Sequence, residues 1–261
     1  MIGKTAAIIR AHMGSSRLPG KIMLPVLGRP LLAHLIDRLK RAQTIDTIII
    51  ATTEASADDI LADLADREGV ECFRGSEDDV MSRVLGAARA FDVEWIVDVT
   101  SDCPLADPDI VDAVVQVLRD TDAEYACNIM HRTFPRGLDV QVYSVHALGK
   151  AESLTSDAAD REHVTLYLYE HPELFKLAHT QAEAGMEMAD QRLTLDTPAD
   201  FFVLRAVFEA LYPENPTFGY PEILTFLRSA PDVRAMNSGI VQKRPRAYDT
   251  TEKARRALGL P

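Results

Sequence analysis

Four short runs of aliphatic and β-branched residues constrain this chain more than any other feature: TAAII (5–9), TIIIAT (47–52), VECF (70–73) and WIVDVT (95–100). The first, second and fourth are almost continuously apolar, and a strand buries both of its faces only in a sheet covered on both sides. Between them lie segments with helix start and stop signals. PLLAHLIDRLKRA opens on a proline, SADDILADLADREG opens on a capping serine and ends in glycine, and SEDDVMSRVLGAARAF repeats that device. Such alternation dictates parallel strands joined by crossover helices. The expected fold class is therefore α/β, a doubly wound, mostly parallel sheet. Ligands of such sheets bind beyond the carboxyl ends of the strands. The segments RAHMGSSRLPGK (10–21) and TSDCPLADP (100–108) follow the first and fourth strands, so both belong on one rim.

After residue 122 the pattern becomes mixed. AEYACNI and LDVQVYSV read as strands, REHVTLYLYEH as a helix and LAHTQAEAG as an edge strand with a turn. QRLTLDTPADFFVLRAVFEAL reads as a strand, a Thr/Pro helix start and an amphipathic helix. A short helix over 221–229 and an irregular basic tail containing QKRPR complete the chain. With no internal repeat or linker, 261 residues read as one catalytic unit over 1–230, with an inserted lobe near 125–190 and an extension over 231–261.

A net charge of -12 argues against nucleic acid as a partner, since that binding rests on a basic face. The distribution is more informative. Residues 1–41 hold Lys4, Arg10, Arg17, Lys21, Arg29, Arg38, Lys40 and Arg41 against the single anion Asp37. A small anionic ligand at the N-terminal loop fits that asymmetry. Cys72, Cys103 and Cys127 are odd in number and lack CxxC spacing, so reduced, buried thiols are expected rather than disulfides or a zinc site. No apolar stretch has the length of a membrane helix or a signal peptide, and the expected location is the cytoplasm, without a membrane partner.

The loop 10–21 carries the main functional signal. It is no Walker loop: five residues separate Gly14 from Gly20, Ile22 follows Lys21 where a Ser or Thr is required, and Pro19 lacks an NH. It is no dinucleotide fingerprint either, because Ser16 stands where a second glycine is needed. What remains is a Gly/Ser turn with Arg17 and Lys21, a planar fork and a mobile point charge suited to an anion, or else a surface turn with two solvated cations. Asp102 sits at a strand end and is the best metal-ligand candidate by position. Asp196 ends the segment LTLDTP and reads equally as a helix N-cap. Facing one crevice, the two carboxylates suit a single magnesium ion. Arg74 and Gly75 end the third strand and point to ligand contact. Asp78 and Asp79 complement a helix dipole. Asp139 reads as a ligand contact or a turn residue, and His163 more readily as a helix-start residue than as a base. Cys103 lacks a base partner and is not a nucleophile.

Seven segments in order, MGSSRLPGKIMLPVLGRPLLAHLIDRLKRA, IDTIIIATT, FRGSEDDVMSRV, TSDCPLADPDIVD, RTFPRGLDVQVYS, REHVT and RLTLDTPAD, together resemble the spore-coat polysaccharide biosynthesis protein F-like cytidylyltransferases, relatives of the CMP-sialic acid and CMP-3-deoxy-manno-octulosonate synthetases. The resemblance implies a GT-A-like fold with an inserted dimerisation lobe, a homodimer, and magnesium-dependent transfer of CMP from CTP to a small acidic acceptor in surface polysaccharide or glycan biosynthesis. It assigns nucleotide binding to Ala11, His12, Gly14, Ser15, Arg17, Lys21, Arg74, Gly75 and Asp102. Lys21, Arg17 and Asp102 are its catalytic positions, and Asp102 and Asp196 its metal ligands. Arg136, Asp139, Arg161, Glu162 and His163 fall where the acceptor is expected. Two departures stand out. Family members commonly read Gln-Ala-Arg at Arg10-Ala11-His12, and a basic residue is often found at Asp98. His12 thus replaces the family's usual phosphate arginine, and Arg10, which faces the same way as residue 12 if the strand persists, is a candidate to supply the missing cation. Transfer from GTP or UTP, and a non-catalytic nucleotide-binding relative, remain open alternatives.

Overall fold

The structure is a computed structural model describing residues 3–15, 17–243 and 245–261. The chain runs β1 (Thr5–Arg10), β2 (Pro25–Val26), β3 (Arg29–Pro30), α1 (Leu31–Leu39), β4 (Thr47–Thr53), α2 (Asp59–Glu68), β5 (Glu71–Gly75), α3 (Val80–Ala90), β6 (Trp95–Thr100) and α4 (Pro108–Thr121). It continues through β7 (Tyr125–Cys127), β8 (Gln141–Ser144), α5 (Val145–Leu154), α6 (Ala158–His163), α7 (Leu166–Glu170), β9 (Leu177–His179), α8 (Pro198–Leu211), α9 (Tyr220–Ser229), α10 (Pro231–Ala235) and α11 (Glu252–Leu258). Seven strands form one sheet in the order β5-β4-β1-β6-β8-β7-β9. The β5-β4-β1-β6 half is parallel throughout, and β8 enters antiparallel to both β6 and β7. The strands of segment 125–190 thus extend the central sheet rather than standing apart from it.

The alternation of side chains along β1 shows how two cores arise. Ala7, Ile9 and Ala11 pack on one face with α1, α2, α4, α8 and α9, while Ala6 and Ile8 pack on the other with α3, α5 and α7. These five side chains, four in β1 and Ala11 just beyond it, are all fully buried. Burying an isoleucine such as Ile8 or Ile9 stabilises the fold by about 1.5–3 kcal/mol, and an alanine by less. Both faces need cover, and the crossover helices supply it.

Four sequence expectations are corrected. REHVTLYLYEH is not one helix: α6 ends at His163, and Val164 takes a positive φ of 61° before α7 begins. That conformation is costly for a β-branched residue, and here the Val164 side chain is fully buried in the second core. The strand expected over LDVQVYSV stops at Ser144, whose hydroxyl accepts from the Ala147 NH and starts α5. QRLTLD forms no strand, only an isolated bridge between Arg136 and Arg192. The basic tail is not irregular throughout, since α10 and α11 form within it and Ala254 of α11 is fully buried.

Candidate active site

The loop after β1 closes on itself. The Met13 carbonyl accepts from the Ser15 NH (3.0 Å) and the Gly20 NH (3.2 Å), while the Met13 NH donates to buried Asp58 (2.7 Å). Gly20 has φ 67°, in the left-handed region that glycine enters without a Cβ penalty. A single 3-10 turn, Lys21–Met23, follows, and Ile22 anchors it in the core. With Ile22 pinned inward, Lys21 reaches across the rim. Its Nζ lies 3.2 Å from Asp102 Oδ2 and 3.0 Å from Asp196 Oδ1, and Arg17 Nη2 lies 2.7 Å from that same Asp196 oxygen. The two carboxylate oxygens are therefore no further apart than the sum of the two lysine distances.

The backbone explains why residues nearly a hundred positions apart meet. Asp102 sits in a turn closed by the Cys103 NH on the Thr100 carbonyl. The Asp102 carbonyl accepts from the Leu195 NH at 2.8 Å and from Thr194 Oγ1 at 3.3 Å, which stitches the segment before α8 onto the β6 rim. Asp196 is not the N-cap. Thr197 takes that place in a capping box with Asp200, leaving the Asp196 carboxylate to the crevice. Burial alone would raise the Asp196 carboxyl, but Lys21, Arg17 and Arg192 outweigh it and hold the group below its ordinary value. Burial likewise works against the Lys21 ammonium, and Asp102 and Asp196 reverse the effect and raise it.

Behind Asp196 lies a buried network that the sequence reading missed. Arg192, 7% exposed, reaches Asp196 at 3.4 Å, Asp200 at 3.3 Å and Gln242. Asn237, 1% exposed, donates to the Asp200 carboxylate (2.9 Å) and the Arg192 carbonyl (3.0 Å) and accepts from Gln191. The visible signal was the spacing of Arg192, Asp196 and Asp200 at intervals of four. Asn237 and Gln242 gave none, since only the fold brings the extension beneath the site.

The other expected residues are distributed around the rim. His12 is exposed, with its ring against Gly14, where a Cβ would come within 3.2 Å of His12 Nδ1. Ala11 is buried, its NH bonded to the Ala51 carbonyl at 3.2 Å, and Ser15 Oγ accepts from the Leu18 NH at 3.4 Å. Arg74 binds the Thr53 and Ala55 carbonyls (both 2.8 Å) and Asp59, so it clasps the end of β4. Gly75 is packed by Phe73 and Arg83. Asp139 pairs with Arg132 through both terminal guanidinium nitrogens. Arg136 bridges Arg192 through its backbone, and its side chain makes no hydrogen bond or ion pair among the described residues. Arg161 ties Asp79, the N-cap of α3, to α6. Glu162 is exposed and His163 half-buried. All three cysteines are free, and burial pushes the Cys103 thiol well up, away from nucleophilic use.

Residues 6–225 match the family model described as cytidylyltransferase. An uncharacterized protein of Methanocaldococcus jannaschii is 33% identical over 92% of this chain and 97% of its own length. The spore coat polysaccharide biosynthesis protein SpsF of Bacillus subtilis is 31% identical over 86% of this chain and 94% of its own. The solved structure of a cytidylyltransferase from Leptospira borgpetersenii superposes with a TM-score of 0.84 at 31% identity, covering 92% of this chain and 99% of that one.

Proposed function

Because this chain belongs to the cytidylyltransferase family, we propose that it transfers CMP from CTP to an acidic sugar or related acceptor, releasing pyrophosphate, in the synthesis of a surface polysaccharide or glycan. SpsF, a spore coat polysaccharide biosynthesis protein, supports the pathway class. The single observation carrying the chemistry is Lys21, whose ammonium joins Asp102 and Asp196 with Arg17 alongside.

In this reading an acceptor oxygen attacks the α-phosphorus in line. The new O–P bond forms as the bond to the β-phosphate breaks, pyrophosphate departs with the electron pair, and the acceptor proton is lost to solvent. Such reactions demand alignment and charge stabilisation rather than covalent work by the protein. Arg17 and Lys21 are each paired with a carboxylate. A triphosphate would exchange those partners for phosphate oxygens, placing both cations where negative charge accumulates. Pre-oriented charge of this type is worth several kcal/mol at a developing oxyanion.

Magnesium suits the remaining donors. Both carboxylates already converge on one cation, the Lys21 ammonium. Among the described residues no group of three or more His, Cys, Asp or Glu could hold a metal. Two carboxylates leave other positions to phosphate oxygens and water, which magnesium prefers to a closed protein cage. Asp102 and Asp196 would hold the ion, which when bound neutralises charge on the α-phosphate and the leaving pyrophosphate. A homodimer, as the resemblance implies, completes the proposal.

The test is pyrophosphate release from CTP and a panel of acidic sugars by wild type, Lys21→Ala and Asp102→Asn. Each substitution is expected to lower kcat by about a hundredfold or more, comparable to losing one oxyanion donor. Near-normal turnover in both variants would remove these residues from the reaction.

A further inference from the structure

Besides Lys21 and Arg17, another cation is built into the end of the sheet. Arg10, the last residue of β1, pairs with Thr100, while Ile8 pairs with Asp98. Side chains two apart on adjacent parallel strands share a face, and that face is the one covered by α3, α5 and α7. Arg10 Nε donates to Asp98 Oδ1 at 2.8 Å, and Tyr143 of β8 donates its hydroxyl to Asp98 Oδ2 at 3.0 Å. Asp98 and Tyr143 are 2% and 0% exposed. A buried carboxylate thus has both oxygens occupied and grips only one of the three guanidinium nitrogens.

The two terminal nitrogens of Arg10 make no hydrogen bond among the described residues. They are not sealed in the core: the side chain keeps 15% exposure, and the pair is anchored at the end of the strand rather than in its middle. A guanidinium fixed at Nε and open at both terminal nitrogens is a pre-oriented fork for a planar oxyanion.

The surroundings reinforce this. Arg83 of α3 is 4% exposed, and its Nε is buried without a partner, its terminal contacts being the Ser76 and Glu77 carbonyls. Burial first, and then the positive charge of Arg10, lower the Arg83 guanidinium. A buried cation that feels the repulsion of a second one is stabilised by an anion bound nearby. The field of Arg10 extends in both directions along the rim. Burial works against the Arg10 guanidinium, and Asp98 first, then Tyr143 and Asp102, outweigh it and raise the group. In turn it lowers His163 of α6, after burial has done so and Glu162 has opposed it. Arg10 thus feels Asp102, the carboxylate beside Lys21, and is felt by His163 at the end of α6.

We propose that Arg10, oriented by Asp98 and Tyr143, is a specificity-determining residue whose open fork binds the carboxylate of the acceptor. The inference rests on the reading of the site as a cytidylyltransferase centre. It goes beyond that reading by naming the group that selects acidic acceptors and the residues that aim it. The triphosphate already has Arg17 and Lys21, leaving Arg10 for the second substrate. Asp98 acts through Arg10 and is a positioning residue.

The experiment measures equilibrium binding of N-acetylneuraminate, 3-deoxy-manno-octulosonate and their methyl esters to protein saturated with a non-hydrolysable CTP analogue. Wild type is expected to bind at least one acid tenfold or more tightly than its ester. Arg10→Gln should erase that preference, Arg10→Lys should restore part of it, and Asp98→Asn should weaken it while retaining some. Affinity for the CTP analogue should stay within about threefold in all variants, which also certifies their fold. If wild type does not prefer any acid to its ester, or Arg10→Gln keeps the preference, the inference is overturned while cytidylyl transfer stands. Loss of analogue affinity in Arg10→Gln equal to its loss of acid affinity would reassign Arg10 to the nucleotide and overturn it as well. Failure of wild type to bind the analogue at all would instead defeat the underlying functional reading.

Discussion

Replacing Arg192 with methionine isolates the network behind Asp196, because methionine fills much of the arginine stem while removing its charge. Arg192 bridges Asp196, Asp200 and Gln242, and Asp200 is fully buried. Removing one partner from a buried ion pair commonly costs about 3–5 kcal/mol, because the other charge is left uncompensated. Asp200 is not left bare, however. It still accepts from the Asp196 NH (3.1 Å), the Thr197 NH (2.9 Å) and the Asn237 amide (2.9 Å). Those donors place the expected loss at the lower end, about 3 kcal/mol. Urea unfolding monitored by fluorescence and far-UV circular dichroism would register it as a lower midpoint with unchanged slope. Asp200→Asn should destabilise by a comparable amount, and the double variant should show about 1–2 kcal/mol of coupling. A loss under about 1 kcal/mol for Arg192→Met, or additive single effects, would refute the network as the support of Asp196.

Further outcomes follow from other contacts. Gly137 has φ 105°, and a Cβ there would lie 2.4 Å from the Leu193 carbonyl carbon, so Gly137→Ala should cost at least about 3 kcal/mol and be read directly in thermal unfolding. Burial lowers His179 to about 4 and leaves its Nε2 without a partner. The unfolded chain takes up that proton near pH 6.5 and the folded one resists it, so stability should decline as pH falls from about 6.5 towards 4. His179→Leu should flatten that portion of the stability–pH curve, and an unaltered curve would exclude His179 as a contributor. Tyr143→Phe removes one of the donors to buried Asp98 and should lower stability by about 1–2 kcal/mol in the same urea assay.

How much of this was legible beforehand depended on the range of the interactions. Strands β1, β4 and β6 could be read from local apolar runs, because burial on both faces leaves a continuous pattern in the chain, and β5 from a shorter run at the sheet edge; their parallel arrangement followed from the helices between them. The turn with Lys21 and the rim position of Asp102 followed from strand ends. Asp196 was harder, since its local sequence fits an N-cap as well as a ligand. Thr197 and Asp200 decide that question by forming the capping box themselves.

Sequence alone determined the α/β alternation, the family and the identities of the charged groups on one rim, since periodicity and motif order are properties of the chain itself. Tertiary structure decided which of those groups meet. Asp102 and Asp196 share Lys21 only because backbone bonds join Leu195 to Asp102, and Arg10 becomes a fixed fork only because β6 and β8 deliver Asp98 and Tyr143 to its side. Asn237 and Gln242 support Asp196 from beyond α9, where no local pattern marks them. Such contacts depend on distances in the folded chain, and residues so far apart in sequence carry no periodicity that would announce them.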